Sequence, residues 1–245
     1  MAEALSAPVV SRSVPAVELA DVSFRYPRAA APILRDVSLR IPAGTSVALM
    51  GANGTGKTTL LRLMAGLVAP TSGTVRTAAG RVGYIPQQVG LVGRLSVEEN
   101  VLHGALSRAG AWQALTNRFS DADRSRARRA IEDVGLAGRE EEPVARLSGG
   151  QRRRVAIARA LVQEPELLLA DEFLANLDVA KAAELLDLAR SLQRSGVTVV
   201  LAMHDLVLAK GAVDRIAFLR DGTIGAVVPS GHVTAEQVRW YLGHA

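Results

Sequence analysis

Gly51-Ala52-Asn53-Gly54-Thr55-Gly56-Lys57-Thr58-Thr59 stands between the apolar run Val47-Ala48-Leu49-Met50 and the stretch Leu60-Leu61-Arg62-Leu63-Met64. A glycine-rich loop that leaves a strand and opens a helix is the setting in which a phosphate-binding loop works. The glycines let backbone N–H groups curl around phosphate oxygens, Lys57 reaches the β and γ oxygens, and Thr58 offers its hydroxyl to Mg²⁺. The helix adds the positive end of its dipole. A chance glycine-rich turn needs neither the strand before it nor the helix after it, so the stretch is read as a nucleotide site.

Outward from the loop, residues 17–24 read as a strand, and 33–41 alternate as Leu34, Val37, Leu39 and Ile41, the pattern of antiparallel strands with one solvated face. Pro42-Ala43-Gly44 turns the chain, 45–50 feed the loop as a strand, and 59–67 form a helix that Gly66 and Pro70 end, with Thr71-Ser72-Gly73 beyond. A short strand over 81–85 follows. From Ser96 to about Arg146 the pattern is helical: Ser96 with Glu99 makes a capping box, Ser120-Asp121 opens an arginine-rich helix, and Gly135 and Gly138 mark its end. Next, a helix over 151–163, a strand over 167–170, a helix over 180–194 and a strand over 197–203 alternate as parallel βαβ units do. Residues 215–220, the turn Asp221-Gly222 and 223–228 read as a hairpin, followed by a helix over 234–242.

The fold class that follows is α/β: a P-loop nucleoside triphosphatase core with an N-terminal antiparallel β subdomain and an inserted α-helical subdomain. The expected division is a leader over 1–15 and a single domain over 16–245. Within it, 16–95 and 152–245 make the catalytic core with the β subdomain, and 96–151 the helical subdomain.

The 245 residues, 49% of them hydrophobic, suffice for a core without staples. The sequence has no cysteine, which removes disulfides, thiolate metal sites and cysteine nucleophiles together. Residues 1–15 are rich in Ala, Ser, Pro and Val but have neither a basic start nor a sustained apolar stretch, so they read as a disordered leader rather than a signal peptide. No apolar run approaches bilayer length; Leu167-Leu168-Leu169-Ala170 is the size of a buried strand. The net charge of +5 suits nucleic acid, an anionic membrane surface or a polyphosphate alike. Its clusters, Arg124, Arg126, Arg128 and Arg129, then Arg152, Arg153 and Arg154, lack interleaved aromatics and read as solvated helix faces.

Leu167-Leu168-Leu169-Ala170-Asp171-Glu172 is an apolar strand ending in two carboxylates, and in parallel sheets ligands bind beyond the carboxyl ends of the strands. Asp171 is placed to hold Mg²⁺ through its water shell. Glu172 is placed to orient and deprotonate an attacking water, a role worth roughly 10² to 10⁴ in rate. An Asp-Glu pair that merely caps the next helix is the competing reading, and it requires no phosphate loop. Leu147-Ser148-Gly149-Gly150-Gln151 precedes a helix striped by Val155, Ala158, Leu161 and Val162, and such a start offers donors to another phosphate. The first nucleotide site is already furnished, so that phosphate could belong to a second chain; simple capping is the alternative.

The ordered set of a phosphate loop, Gln87 in Tyr84-Ile85-Pro86-Gln87, LSGGQ, LLLADE, Asp178 and His204 resembles the ATP-binding subunit of ATP-binding cassette transporters over nearly the whole chain. The resemblance implies ATP and Mg²⁺ as ligands. It also implies a head-to-tail homodimer, or pair of like subunits, sandwiching two ATPs, each between the phosphate loop of one chain and the LSGGQ of the other. Carried over residue by residue, Tyr26 would stack on adenine, Gln87 would sense Mg²⁺ and the membrane partner, and His204 would contact the γ-phosphate. Ser148, Gly149, Gly150 and Gln151 would act on the partner's ATP, and Asp178 would link the two sites. Plainer readings stand beside these: Tyr26 as a surface aromatic, Gln87 as a turn residue after Pro86, His204 as a capping residue. Two departures bear on the catalytic segment. Phe173 stands where the family has Pro, and Ala175-Asn176-Leu177-Asp178-Val179 where it has a Ser-Ala-Leu-Asp-Pro-like stretch. They touch the backbone course from Glu172 to Asp178, and through it turnover, while leaving every catalytic group in place.

Gly93-Arg94-Leu95-Ser96-Val97-Glu98-Glu99-Asn100-Val101-Leu102, with Ala111-Trp112-Gln113-Ala114-Leu115, Arg118-Phe119 and Ser120-Asp121-Ala122-Asp123-Arg124, is similar to the helical insert of phosphonate-import ATPases. That likeness implies import of phosphonate, phosphite or phosphate, with integral membrane permease subunits as partners and a solute-binding protein as an indirect one. It places the chain peripherally on the cytoplasmic face of the membrane, and no nucleic acid partner is expected. An efflux ATPase shares the same motifs, because direction is set by the membrane subunits. A soluble ATP-driven switch on DNA or ribosomes would carry a long coiled coil or a tandem second cassette, and this sequence has neither. A degenerate nucleotide-binding regulator is disfavoured by the intact Lys57, Asp171, Glu172 and His204.

Overall fold

The computed structural model describes residues 14–106, 119–172, 174 and 177–242. The leader through residue 13, the stretch around Trp112, Phe173 and Asn176 lie outside the described residues. Strands β1 (Pro15–Phe24) and β2 (Leu34–Pro42) pair antiparallel, and β4 (Ser72–Thr77) joins the other edge of β1. The second sheet holds β3 (Ser46–Met50), β5 (Val82–Ile85), β6 (Leu167–Ala170), β7 (Thr198–Met203), β8 (Arg215–Arg220) and β9 (Thr223–Pro229). Its order is β5-β6-β7-β3-β8-β9, parallel as far as β8, with β9 added by an antiparallel hairpin.

Alternation along the parallel strands divides the core in two. Val47, Leu49, Leu167, Leu169, Val200 and Ala202 face one side, while Ala48, Met50, Leu168, Ala170, Val199 and Leu201 face the other. Both faces are apolar because both are covered, which is why these strands read as unbroken apolar runs. The first side is closed by α1 (Lys57–Met64), through Leu60, Leu61, Leu63 and Met64, and by the three-stranded sheet, through Val17, Leu19, Val37 and Ile41. The second side is closed by α2 (Val97–Ala105), α3 (Asp121–Asp133), α4 (Gly149–Leu161), α5 (Val179–Arg194) and α6 (Leu206–Ala212). On that side also, Tyr241 of α7 (Ala235–Leu242) tilts its ring against Phe218, centroids 5.7 Å apart.

Local chemistry sets the helix ends. Ser96 with Glu99 and Ser120 with Asp123 form the capping boxes that open α2 and α3. At the end of α1, Leu67 N–H donates to the Arg62 carbonyl at 2.9 Å and Gly66 N–H to that of Leu63 at 3.0 Å, the bond pair of a glycine-terminated helix. Helices α2 and α4 touch backbone to backbone, since a Cβ on Gly104 would lie 1.9 Å from the Arg159 carbonyl oxygen.

Three expectations change. β1 begins at Pro15, which the expected division gave to the leader. The expected border between helical subdomain and core at 151/152 falls inside α4, a continuous helix, so the two parts share an element rather than meet at a linker. The strand β4 occupies a segment where no strand was read, because its side chains are mostly exposed and carry no apolar alternation. Among the described residues no helix is long and apolar enough to cross a membrane.

Candidate nucleotide site

The loop between β3 and α1 has no room for a Cβ at two points. Gly56 has φ 105°, where L residues are strained, and a Cβ there would also lie 2.6 Å from Leu34 Cδ2. A Cβ on Gly51 would meet the Leu219 carbonyl oxygen at 2.5 Å. Thr55 tightens the turn by donating to the Ala52 carbonyl at 2.9 Å. Asn53 and Gly54 at the tip are exposed and, with Ala52, line a cleft of about 650 Å³. Lys57 is buried, and its ammonium donates to the carbonyls of Gly51 at 2.7 Å and Ala52 at 2.9 Å. Burial lowers its pKa, and the charges of Glu172 and Asp171 oppose that shift in part.

Asp171 closes β6 and is 1% exposed. Burial pushes its carboxyl up; a hydrogen bond with Thr58 opposes this, and the Glu172 charge adds to it. Its Oδ1 is buried without a hydrogen-bond partner. A carboxylate oxygen left open beside a threonine hydroxyl is a hard-cation donor set, and a buried polar atom without a partner asks for a ligand. Among the described residues no cluster of three or more His, Asp or Glu could hold a metal by itself, so a cation here would draw on substrate or water oxygens as well.

Glu172 is clamped on three sides. Gln87 donates to Glu172 Oε2 at 2.5 Å, His204 Nε2 stands 3.7 Å from Oε1, and Arg153 donates to the Glu172 carbonyl at 2.5 Å. The residue itself has φ 46°, a left-handed conformation that costs a non-glycine residue of order 1 kcal/mol or more. Tyr26 is half-buried, edge-on to Phe24 with centroids 4.8 Å apart, and its hydroxyl pairs with that of Thr59 at 3.1 Å.

The remaining expected residues gather elsewhere. Ser148 caps α4: the Gln151 N–H donates to its hydroxyl at 3.3 Å, and its own N–H donates to Gln151 Oε1 at 2.9 Å. The capping reading of this serine is therefore present in the fold, and open space lies where a Cβ on Gly149 would stand. Ser148, Gly150 and Gln151 line a cleft of about 380 Å³ with Arg139 and Lys181, and no residue of the phosphate loop lines it. Asp178 caps α5 by accepting from the Lys181 N–H at 2.9 Å and pairs with its ammonium, which holds the Asp178 carboxyl below its usual range. Lys57, Thr58, Gln87, Asp171, Glu172 and His204 thus converge, Tyr26 joins through Thr59, and Ser148 to Gln151 and Asp178 form a second locus. Arg153 was legible only as one of a run of solvated arginines; Arg152 fits that reading, whereas Arg153 and Arg154 turn inward to protein carbonyls.

A parallel sheet with a glycine loop feeding a helix, a buried lysine over that loop and paired carboxylates at the end of β6, one strand removed from β3, define a P-loop nucleoside triphosphatase. The sequence pattern of the ABC transporter family matches residues 34–175, and the chain belongs to that family as an ATPase. It is 39% identical over 230 residues to the phosphonates import ATP-binding protein PhnC of Burkholderia pseudomallei strain 1710b, covering 86% of this chain and 75% of that one. It is 36% identical over 248 residues to the protein of the same name in Bdellovibrio bacteriovorus, covering 94% and 95%. An ATP-binding cassette solved as a dimer in a post-hydrolysis state, bound to ADP and Pi, superposes with a TM-score of 0.76 at 28% identity, over 89% of this chain and all of that one.

Proposed function

We propose that this chain hydrolyses ATP to power import of a phosphonate-class anion, working as a pair of like subunits on the cytoplasmic face of membrane permease subunits and, through them, with a solute-binding protein. The names of the relatives and the insert around Ser96 and Ser120 support the substrate class. The observation that carries the mechanism is the clamp on Glu172.

The phosphate loop binds ATP through the N–H groups of 51–59. Lys57 exchanges the Gly51 and Ala52 carbonyls for β- and γ-phosphate oxygens, and Tyr26 offers its ring to adenine. Thr58, Asp171 and Gln87 hold Mg²⁺, a role that the open, buried Asp171 oxygen fits. When bound, Mg²⁺ neutralises charge on the β- and γ-phosphates. Glu172 accepts a proton from the attacking water, whose oxygen bonds to the γ-phosphorus as the bond from that phosphorus to ADP breaks, with Gln87 and His204 fixing its two carboxylate oxygens so that a remaining lone pair faces the water. His204 also touches that phosphate.

Each site is completed by Ser148, Gly149, Gly150 and Gln151 of the partner subunit, and Asp178 links one site to the other. Closure excludes water and moves the permease; release of ADP and phosphate resets the pair. Glu172→Gln is expected to bind Mg-ATP, to dimerise on sizing chromatography and to hydrolyse at least roughly 10²-fold slower than the parent. Unchanged ATPase sinks the general-base role. Co-purification of permease subunits with a solute-binding protein that takes phosphonates checks the substrate class.

A further inference from the structure

Helix α4 begins at the exposed Ser148 segment and sends three arginines to the carbonyls of three different segments. Arg159 reaches those of Gly90 and Val89, just beyond Gln87. Arg154 reaches that of Val134, at the end of α3, and pairs with Glu184 of α5. Arg153 reaches that of Glu172. A guanidinium holds a carbonyl in a fixed plane, and its planar fork loses little freedom per bond formed.

We propose that Arg153 is a positioning residue for ATP hydrolysis: it pins the strained backbone of Glu172, and through it α4 transmits the state of the Ser148 segment to the carboxylate. This rests on Glu172 as general base. A left-handed non-glycine residue persists only where its surroundings over-determine it. Gln87 and His204 hold the Glu172 side chain, but among the described residues only Arg153 holds its carbonyl, which is the atom that must swing if φ relaxes to negative values. Burial lowers the pKa of the Arg153 guanidinium and the Glu172 charge opposes this, as expected of a donor shielded from competing water. The lever is short. Arg153 follows Ser148 by five residues, about 7 Å of helix. A shift of the helix start on meeting a partner's nucleotide would therefore arrive at Glu172 with little loss. Arg154 and Arg159 end on other segments, so Arg153 is the direct link.

The test compares Arg153→Met, which keeps the stem and removes the donors, with Arg153→Lys, which restores one, each alone and with Glu172→Gln. Met is expected to lower kcat at least about tenfold with KM for ATP within about twofold, and Lys to recover most of the loss. In the Glu172→Gln background, Arg153→Met should cause no further loss in the residual rate, because its effect runs through the missing carboxylate. A Met variant with kcat within twofold of the parent, a matching rise in KM, or a further tenfold loss on top of Glu172→Gln overturns the proposal. If Arg153→Met does not fold, Arg153→Leu, which also lacks a donor, carries the same comparison and the same overturning outcomes. Should Glu172→Gln alone remain active, it is the general-base reading that fails, a result separable from a silent Arg153.

Discussion

The loop at 51–59 and the segment at 148–151 are both glycine-rich helix starts, yet the fold treats them in opposite ways. At the first, the cation is buried, the backbone is walled in by Leu34 and Leu219, and the Lys57 ammonium rests on two carbonyls that stand where phosphate oxygens can replace them. At the second, the serine is already satisfied by its own helix, nothing crowds Gly149, and the neighbouring cleft contains no part of the phosphate loop. A helix N-terminus attracts anions in either case. What separates the two is enclosure: the first locus has its own charge and walls, while the second has donors and an open face that a second subunit can fill.

The sharpest way to break this contrast is to disable each locus in a different chain. Lys57→Ala should weaken Mg-ATP binding roughly 10²-fold or more in a fluorescence titration, as loss of one partner of a desolvated charged contact does. Ser148→Arg should leave single-chain binding intact and block dimerisation. Mixing the two restores one composite site, seen as ATP-dependent association that neither variant shows alone. If the mixture stays monomeric, the second locus does not serve a partner's nucleotide.

A finer cut separates the two duties of Ser148. Aspartate caps a helix as well as serine does and suits the helix dipole, so Ser148→Asp should hold Tm within about 2 °C. Its negative charge should nevertheless abolish ATP-dependent dimerisation by repelling phosphate. Dimers that survive the change would reduce Ser148 to its cap.

The smallest effect sharpens the first locus. Asp171→Asn removes a buried charge, and in nucleotide- and Mg-free protein it should raise Tm near pH 7 by about 2–4 °C while ATPase falls. The sign follows from burial, which raises the folded pKa above the ordinary 3.8. Below that value the carboxyl is neutral in both folded and unfolded states and costs nothing. The penalty grows as pH rises from 3.8 through the raised folded value and is constant above it. The Tm gap between variant and parent should close as scans move down toward pH 3.8; a gap that widens there contradicts the buried-charge account.

Much of this was legible because the responsible forces are local. β3, β6 and β7 show as apolar runs since both of their faces are covered, and the box at Ser96 and the helix start at Ser120 rest on contacts three residues long. β4 was not legible. Its exposed side chains follow no alternation, and it is a strand only because β1 offers it an edge. The seven-residue α6 spans only about two turns, too few for its apolar spacing to stand out, though Asp205 caps it with bonds at 2.8 and 3.0 Å. Arg153 and Arg154 of α4 were misread for a different reason. A guanidinium on a helix looks the same in sequence whether it meets water or a carbonyl, and Arg153, Arg154 and Arg159 find carbonyls.

By themselves, residue types and spacings determined that phosphate is held at 51–59 and that carboxylates stand at the end of another apolar strand. A glycine loop, a lysine and a strand–helix junction act within a few residues of one another, and that range is what a sequence displays. Only the tertiary structure decided that Gln87, 85 positions away, His204 and Arg153 would close on Glu172 from three sides. Such convergence depends on how β5, β6, β7 and α4 pack, and packing is set by the sum of many buried contacts rather than by any one stretch of chain.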